Sequence, residues 1–499
     1  MALDERTIEA ITRRVLAALQ EKEPARSSPA HTPQAGPPPH LSYVGRAGRE
    51  VVPPATPGED GIYPDVDSAV RAARVAFQKL NRMSLADRKR IIQAIRDVSL
   101  QNAELLARMA HEETGLGRVE DKVKKNVLVA TKTPGPEILE PVAWSGDDGL
   151  TLTEWAPFGV VAAITPITNP TATVINNAIS IISAGNTVVF NVHPGAKRVN
   201  TFQIQLLNRA IQAAGGPPDL ITACAEPTIE TAQELMRHPG VRLLLVTGGP
   251  GVVREAMRSG KRAICAGPGN PPVVVDETAD IEKAGWGIVT GASFDNNIVC
   301  TDEKEVFVVE RVADALKQAM LAHGAVELPS YRLRALEKLI FEKVEGPRRP
   351  AVVRKSWVGK PAAAFLKALG MPADERVRLV IVEVPVEHPL VWTEQLMPVL
   401  PIVRVRHVDE AIDLAVEAEH GFGHTAVMWS RNLDNLSRMA REINTSIFVK
   451  NGPNLAGLGY GGEGYTSFSI ASPTGEGLTN ARTFARPRRC TLVDHFRIV

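Results

Sequence analysis

The side chain best suited to chemistry in this sequence is the thiol of Cys300. It follows Phe294 and the turn-forming Asp-Asn-Asn cluster at 295–297, and it precedes the charged run 302–305 and the apolar run 306–309. A cysteine placed after turn-forming residues can lie in a loop or at a helix start, where its thiolate is stabilised. A free cysteine is also commonly a small buried hydrophobic residue. The local pattern therefore leaves two alternatives, a nucleophile and a structural thiol.

The other cysteines and the histidines predict no metal site. Cys224, Cys265, Cys300 and Cys490 contain no CxxC pair, so neither a zinc site nor a disulfide framework is expected. The 11 histidines form no HExxH or similar ligand pattern. We therefore expect catalysis without a metal, in a reducing, cytoplasmic compartment.

The size and composition of the chain describe an ordinary soluble protein of two or more domains. A chain of 499 residues is too long for one hydrophobic core. Its hydrophobic fraction of 44% and charged fraction of 23% are typical of globular proteins. A net charge of +1 argues against a nucleic-acid partner. No apolar run approaches the length of a membrane span and the N-terminus does not resemble a signal peptide, so no membrane partner is expected.

Residues 1–22 predict an isolated amphipathic helix, and residues 23–50 a Pro-rich linker that cannot bury a core. The helix could be a docking tag, a stray appendage or an oligomer contact. The linker disfavours an oligomer contact, because it would free the helix from the body of the protein. A terminal helix with no binding partner needs no sustained apolar stripe. This helix has one, formed by Leu3, Ile8, Ile11, Val15 and Leu19, which argues against a stray appendage.

From about residue 51 the pattern predicts an α/β protein. A helix is expected at 65–80 with Asp67 as its N-cap, and another at 85–109 with Ser84 and Asp87 as a capping box. A hairpin is expected at 143–155. Strands and helices then alternate, which predicts a doubly wound parallel sheet with a nucleotide at the carboxyl ends of its strands. The expected strands are 159–165, 187–190, 220–223 and 241–246, followed in a second α/β unit by 273–275, 306–309, 379–382 and 402–405.

A glycine-rich loop at 247–251 directly follows the strand at 241–246 and opens a helix at 252–259. Glycines at such a point let backbone amides approach a pyrophosphate at a helix N-terminus. The loop is not a GxGxxG motif, so a plain glycine-rich turn is the alternative.

Five motifs in a fixed order resemble those of the aldehyde dehydrogenase superfamily. They lie at 164–170, 185–189, 247–249, 294–300 and 394–399, and the resemblance covers about residues 60–499. It implies an aldehyde dehydrogenase fold with a Rossmann-like cofactor domain at 51–265 and an α/β catalytic domain at 266–440. The C-terminal segment 441–499 would return to join the hairpin 143–155 in a β-flap for oligomerisation, giving a homodimer or homotetramer.

The resemblance also implies the roles of particular residues. Cys300 would attack the aldehyde, and the resulting hemithioacetal would pass a hydride to NAD+ and leave a thioester. Asn169 and the Cys300 backbone N–H would stabilise the oxyanion. Alternatively, Asn169 is a turn residue before Pro170, and Glu394 is a solvated surface residue. The implied cofactor-binding residues are Thr165, Pro166, Ile167, Asn191, His193, Pro227, Thr247, Gly248, Gly249 and Glu394.

The sequence differs from the hydrolytic members of the superfamily at three positions, and these differences decide which reaction the resemblance implies. Cys265 stands where their water-activating glutamate would be, and Asn191 stands where a lysine binds the adenosine ribose. The asparagine of the Pro-Trp-Asn-Phe-Pro motif is displaced by one place, to Asn169. Because a thiol cannot act as a water-activating base, the thioester should survive until another nucleophile arrives.

These departures resemble the CoA-acylating branch, in particular the acetaldehyde and propionaldehyde dehydrogenases of bacterial microcompartments. The implied reaction converts a short-chain aldehyde, NAD+ and CoA into acyl-CoA and NADH. It implies a ping-pong order in which CoA enters the cleft after NADH has left. Residues 1–22 would then bind shell proteins and place the enzyme in the microcompartment lumen. The alternatives are a hydrolytic dehydrogenase, a phosphorylating semialdehyde dehydrogenase and a non-catalytic cargo adaptor.

Overall fold

The computed structural model describes residues 59–499. The predicted terminal helix at 1–22 and the linker at 23–50 lie outside the described residues. Within residues 59–499, no helix is both long enough and apolar enough to cross a membrane.

The N-cap of the helix Val66–Leu80 lies two residues before the predicted cap. Asp65 is the N-cap, because its side chain accepts a hydrogen bond of 2.7 Å from the Ser68 backbone N–H. The prediction of Asp67 as the cap was wrong, since Asp67 lies in the first turn of the helix. There it adds an acidic side chain at the positive end of the helix dipole, which is also stabilising.

The predicted helix at 85–109 is in fact two helices, Leu85–Gln101 and Ala103–Thr114. The predicted capping box at Ser84 and Asp87 is confirmed, with both reciprocal hydrogen bonds present. The break falls at Asn102, whose side-chain Nδ2 donates to the Val98 carbonyl at 2.8 Å. Asparagine competes for backbone hydrogen bonds in this way, which explains why the helix ends here.

The first large sheet has six parallel strands. Its central strand, Val160–Ile164, is buried along its whole length, as expected for a parallel strand covered on both faces. The prediction of a parallel α/β sheet is confirmed. In order across the sheet, its strands are Ile62–Tyr63, Ile221–Cys224, Thr187–Asn191, Val160–Ile164, Val241–Thr247 and Ala263–Ala266.

The second large sheet has seven parallel strands, and one of them, Glu305–Val309, starts shortly after Cys300. It extends past residue 440, because Ile447–Lys450 forms its edge. In order across the sheet, its strands are Ala325–Glu327, Leu379–Glu383, Val399–Val405, Glu305–Val309, Pro272–Val275, Thr425–Trp429 and Ile447–Lys450.

A separate antiparallel sheet joins the predicted hairpin to the C-terminal segment. Val142–Gly146 pairs with Gly149–Pro157, which in turn pairs with Ala485–Val493. Its strands carry exposed apolar side chains, including Trp144 and Val493. Two short ladders also occur, Phe341–Lys343 with Val352–Val353 and Ile470–Ala471 with Gly477–Leu478.

Helices cover the faces of the two parallel sheets and bury mainly alanine, leucine and isoleucine. Besides those already given, the helices are Val119–Lys132, Pro170–Ser183, Lys197–Ala213, Ile229–Arg237, Pro250–Arg258, Ile281–Ala292, Glu310–Ala322, Leu333–Ile340, Ala362–Ala368, Val408–Ala418 and Leu433–Glu442.

Candidate active site

A cavity of about 730 Å³ lies at the carboxyl ends of the first sheet's strands and reaches Cys300. Pro227 is buried and is not among the lining residues, although its neighbours Thr228 and Ile229 are. The cavity brings together the other predicted site residues, which are Thr165, Pro166, Ile167, Asn169, Asn191, His193, Thr247, Gly248, Gly249, Cys300 and Glu394.

One end of the cavity is formed by a glycine-rich loop at the start of a helix. Gly249 is the N-cap of the helix Pro250–Arg258, which therefore presents its unpaired backbone N–H groups to the cavity. A Cβ added to Gly249 would meet no atom within 4 Å, whereas one on Gly248 would lie 2.8 Å from the Val252 side chain. Gly249 thus leaves open space for a ligand, and Gly248 allows the loop to pack against its own helix. The loop fits the pyrophosphate of a dinucleotide.

Asn191 and His193 lie beside this end of the cavity. The Asn191 Oδ1 accepts a hydrogen bond from Thr231 Oγ1 at 2.7 Å, and its Nδ2 donates to the Thr228 carbonyl at 3.3 Å. The amide therefore anchors the start of the helix Ile229–Arg237. Burial, together with the nearby Lys355, lowers the pKa of His193 below its usual value, so this imidazole is neutral at pH 7.

The loop before Cys300 contains three consecutive residues with a left-handed backbone. Asp295, Asn296 and Asn297 have φ values of 44°, 57° and 65°. Aspartate and asparagine tolerate this conformation better than other non-glycine residues. The Asn296 side chain donates to two backbone carbonyls, those of Gly117 at 3.2 Å and Gly359 at 2.9 Å. The turn-forming cluster therefore specifies the loop through both backbone and side-chain contacts.

The charged run at 302–305 is entirely buried beneath this loop, a feature that the sequence did not reveal. Lys304 Nζ donates to Asn297 Oδ1 at 2.6 Å and to the Val299 carbonyl at 3.3 Å. Burial raises the pKa of Glu303 to about 7, although Asn454 donates its backbone N–H to that carboxyl. Burial also raises the pKa of Glu305 well above its usual value.

Cys300 is a neutral thiol in this arrangement. Burial, and then the negative charge of Glu394, raises the pKa of Cys300 to about 12, and the nearby Lys304 only partly opposes them. The expectation of a stabilised thiolate was wrong for the resting site, because the low-dielectric surroundings penalise the charged form more than Lys304 favours it. A group that accepts the thiol proton is therefore required before attack.

Glu394 is half-buried and lines the same cavity, so the alternative of a solvated surface residue is wrong. Its Oε1 accepts a hydrogen bond of 3.2 Å from the Gly269 backbone N–H. Burial raises the pKa of the Glu394 carboxyl above its usual value. A carboxyl with a raised pKa accepts a proton from a thiol more readily than an ordinary one.

Asn169 occupies the predicted turn before a helix and also lines the cavity, while its role as an oxyanion donor stays a prediction. It immediately precedes Pro170, at which the helix Pro170–Ser183 begins, and it is also a buried residue that lines the cavity with Cys300. The Asn169 Oδ1 accepts a hydrogen bond of 2.6 Å from Lys125 Nζ. Sequence reasoning missed Lys125, which lies on the helix Val119–Lys132, distant along the chain from every motif.

Cys265 lies in the core and does not line the cavity. Its side chain packs in an apolar cluster with Val246 and Val253, and burial, followed by the charge of Glu476, raises its pKa to about 11. Among the described residues that line the cavity, the carboxylates are Glu255 and Glu394. Glu255 lies on the helix of the phosphate-binding loop and pairs with Arg237. Position 265 therefore supplies no base to activate water.

His424 lies behind the nucleophile. A Cβ on Gly269 would be 2.8 Å from the Cys300 carbonyl oxygen and 2.9 Å from the His424 ring. Burial lowers the pKa of His424 to about 4, with a smaller effect from Lys304, so the imidazole is neutral. Its Nδ1 contacts Thr425 Oγ1 at 2.9 Å, and its Nε2 has no hydrogen-bond partner among the described residues.

A parallel α/β fold whose cavity runs from a glycine-rich helix N-terminus to a cysteine is the arrangement expected of a dehydrogenase that works through a thiol. The sequence profile described as the aldehyde dehydrogenase family matches residues 58–326 and 377–478. The chain belongs to the aldehyde dehydrogenase family.

Individual relatives are similar over nearly the whole chain. The acetylating acetaldehyde dehydrogenase EutE of Salmonella typhimurium is 53% identical over 448 residues, covering 90% of this chain and 95% of the relative.

Two solved structures are also similar. The propionaldehyde dehydrogenase of Rhodopseudomonas palustris, with bound CoA and an acylated cysteine, is 48% identical with a TM-score of 0.85, covering 87% of this chain and 99% of that one. The propionaldehyde dehydrogenase of a Clostridium phytofermentans fucose utilisation bacterial microcompartment is 44% identical with a TM-score of 0.85, covering 88% of this chain and 100% of that one.

Proposed function

We infer that the protein oxidises a short-chain aldehyde, acetaldehyde or propionaldehyde, to the corresponding acyl-CoA with a nicotinamide cofactor. The observation that carries this inference is the pairing of a cavity-lining thiol, Cys300, with a core-packed cysteine at position 265 instead of a water-activating glutamate. The relatives named for acetylating activity or solved with bound CoA support the same reaction.

The residues of the cavity fit a nicotinamide dinucleotide. The helix that starts at Pro250 would hold the pyrophosphate, and Thr165 and Pro166 would border the sugar and base. Glu394 would hold the ribose next to the nicotinamide. When bound, the cofactor supplies a hydride acceptor.

Acylation of the enzyme begins with the Cys300 thiol. Its proton passes to an acceptor in the cavity, for which we propose Glu394, and the sulfur attacks the aldehyde carbon. The negative charge that develops on the carbonyl oxygen is stabilised by Asn169 Nδ2 and by the Cys300 backbone N–H. As the carbon loses its hydride, the oxyanion collapses to a thioester on Cys300.

Release of the product requires a second thiol. The CoA thiol releases its proton to solvent, and its sulfur attacks the thioester carbon. The same donors stabilise the second oxyanion, and Cys300 leaves as the thiolate, to which Glu394 returns its proton. Water would need a base for this step. A base at position 265 is ruled out by the identity and packing of that residue.

The proposed reaction is tested by measuring NADH formation from C2–C4 aldehydes with and without CoA. Without CoA we expect a burst of about one NADH per active site, followed by slow turnover. With CoA we expect sustained turnover and a thioester product. Steady release of free acid at the CoA-supported rate would refute the proposal and favour the hydrolytic alternative.

We further propose that residues 1–22 direct the enzyme into a microcompartment and that the three-stranded antiparallel sheet joins protomers. The relative from a bacterial microcompartment supports the first proposal. The exposed Trp144 and Val493 of that sheet support the second, since large exposed apolar side chains are candidates for an interface.

A further inference from the structure

The orientation of the Asn169 amide can be deduced from its neighbour. Lys125 Nζ lies 2.6 Å from one terminal atom of this amide. A lysine ammonium has only donors, so the atom that faces it must be the carbonyl oxygen Oδ1. The NH2 group must then point the other way. One of its N–H groups donates to Thr168 Oγ1 at 3.2 Å, and the other is free to donate to a substrate oxygen.

Lys125 is itself held in place. Its side chain is 2% exposed, and its Nζ also donates to the Asp295 carboxylate, which is completely buried. That carboxylate accepts further hydrogen bonds from Lys122 Nζ at 3.0 Å and from the Arg118 backbone N–H at 2.6 Å. Asp295 belongs to the left-handed loop that leads to Cys300. Lys125 therefore links the amide at the start of one helix to the loop that carries the nucleophile.

We propose that Lys125 is a positioning residue for the oxyanion site. It fixes the Asn169 amide with its NH2 group towards the carbonyl oxygen of the substrate. Its positive charge also draws electron density towards Oδ1, which makes the remaining N–H a stronger donor. This inference rests on the proposed role of Asn169 as an oxyanion donor.

Lys122 provides a matched control. It lies on the same helix, is equally buried and contacts the same Asp295 oxygen, but it makes no hydrogen bond to Asn169. Burial lowers the pKa of Lys122 to about 8, so the comparison is made at pH 7, where replacing either lysine by methionine removes one buried positive charge beside Asp295 and leaves the other. A purely structural role for Lys125 would therefore give the two variants similar activities, whereas the positioning role separates them.

The test compares Lys125→Met, Lys122→Met, Asn169→Ala and the double variant Lys125→Met/Asn169→Ala. The rate of the NADH burst without CoA, kcat with CoA, the KM for NAD+ and Tm are measured for each. Asn169→Ala is expected to slow the burst by about 10²- to 10³-fold, the typical loss for one oxyanion donor. Lys125→Met is expected to slow both the burst and kcat by roughly tenfold to a hundredfold, with the KM for NAD+ changed less than about twofold.

Two results would support the positioning role. In the Asn169→Ala background, Lys125→Met should slow the NADH burst by less than a further factor of roughly two, because the two residues act as one unit. Lys122→Met should retain activity within roughly threefold of the unmodified protein, even where its Tm falls as much as that of Lys125→Met. If Lys125→Met does not fold, Lys125→Gln keeps a donor without the charge. The burst rate of Lys125→Gln is expected to fall roughly threefold to tenfold, again only when Asn169 is present.

Three results would overturn the proposal. The first is that Lys125→Met slows the burst as much in the Asn169→Ala background as in the unmodified protein. The second is that Lys122→Met loses as much activity as Lys125→Met. The third is that the burst rate is unchanged in Lys125→Met or Lys125→Gln. If Asn169→Ala itself leaves the burst unchanged, the assigned role of Asn169 is wrong and the Lys125 proposal falls with it. If Asn169→Ala loses activity and Lys125→Met does not, the Lys125 proposal alone is overturned.

Discussion

The raised pKa of Cys300 makes a quantitative prediction about its reactivity. With a pKa of about 12, roughly one thiol in ten thousand is ionised at pH 8, compared with roughly a quarter of ordinary cysteines. A thiolate of higher pKa is intrinsically more nucleophilic, which recovers roughly 25- to 60-fold for a pKa difference of about 3.5. The net deficit is roughly fifty- to a hundredfold. Methyl methanethiosulfonate should therefore modify folded Cys300 that much more slowly than unfolded Cys300 at pH 8.

The assay follows the modification of Cys300 by mass spectrometry of its peptide, in folded protein without cofactor and after unfolding. Folded Cys300 should react about ten times faster for each unit of pH up to pH 10, with no plateau, because its pKa lies above this range. Unfolded Cys300, with a pKa of about 8.5, should level off between about pH 9 and 10. A plateau between pH 7 and 9 in the folded protein would show that the thiol is not held neutral.

Two variants test the cause of the raised pKa. Glu394→Gln removes the charge that, after burial, contributes most to it, so the pKa should fall and modification at pH 8 should become faster. Glu255→Gln removes another carboxylate from the same cavity and should leave the rate unchanged. The same Glu394→Gln variant should slow the NADH burst, since it loses the proposed proton acceptor. Slower modification in Glu394→Gln would contradict the electrostatic argument.

Further experiments address the rest of the proposed function. Cys300→Ala should abolish the burst and turnover, and Cys224→Ala should not; more than a trace of activity in Cys300→Ala would refute the thioester route. CoA at high concentration should inhibit competitively against NAD+, because both would occupy the cavity at the loop 247–251, and purely non-competitive inhibition would indicate separate sites. Deleting residues 1–40 should leave kinetics unchanged while Ile11→Asp abolishes co-localisation with shell proteins; loss of activity on deletion would place the helix in the fold. Cys265→Glu should destabilise the protein without gaining hydrolysis, because it buries a carboxylate in an apolar cluster; free acid from this variant would show that position 265 reaches the cavity.

The parallel α/β fold could be predicted because its strands are continuous apolar runs separated by amphipathic helices. Val160–Ile164 and Val241–Thr247 lie within one residue of their predicted bounds. Helix boundaries were less predictable. The side chains of Asp65 and Asp67 are chemically identical, and only the backbone geometry decides which of them caps the helix.

The cavity-lining residues Cys300, Asn169 and Glu394 were also predictable, because each belongs to a recognisable motif. The residues that hold these side chains in place were not predictable. Lys125 meets Asn169 only after the helix Val119–Lys132 packs beside the start of Pro170–Ser183, and local sequence carries no signal for that contact. The burial of the run 302–305 was equally hidden. Four consecutive charged residues normally indicate a solvated surface. Here all four are buried by segments that are distant in the sequence.

The anchoring of the left-handed loop has a consequence for how the protein folds. Asp295 is held by Lys122 and Lys125, which lie 173 and 170 positions earlier in the chain. Contacts between such distant residues are entropically expensive to form and belong to late stages of folding. Cys300 therefore acquires its protonated state only after these long-range contacts have formed. Until then the thiol has ordinary acidity and is exposed to oxidants, so damage at this residue should depend on conditions during synthesis more than on the age of the folded enzyme.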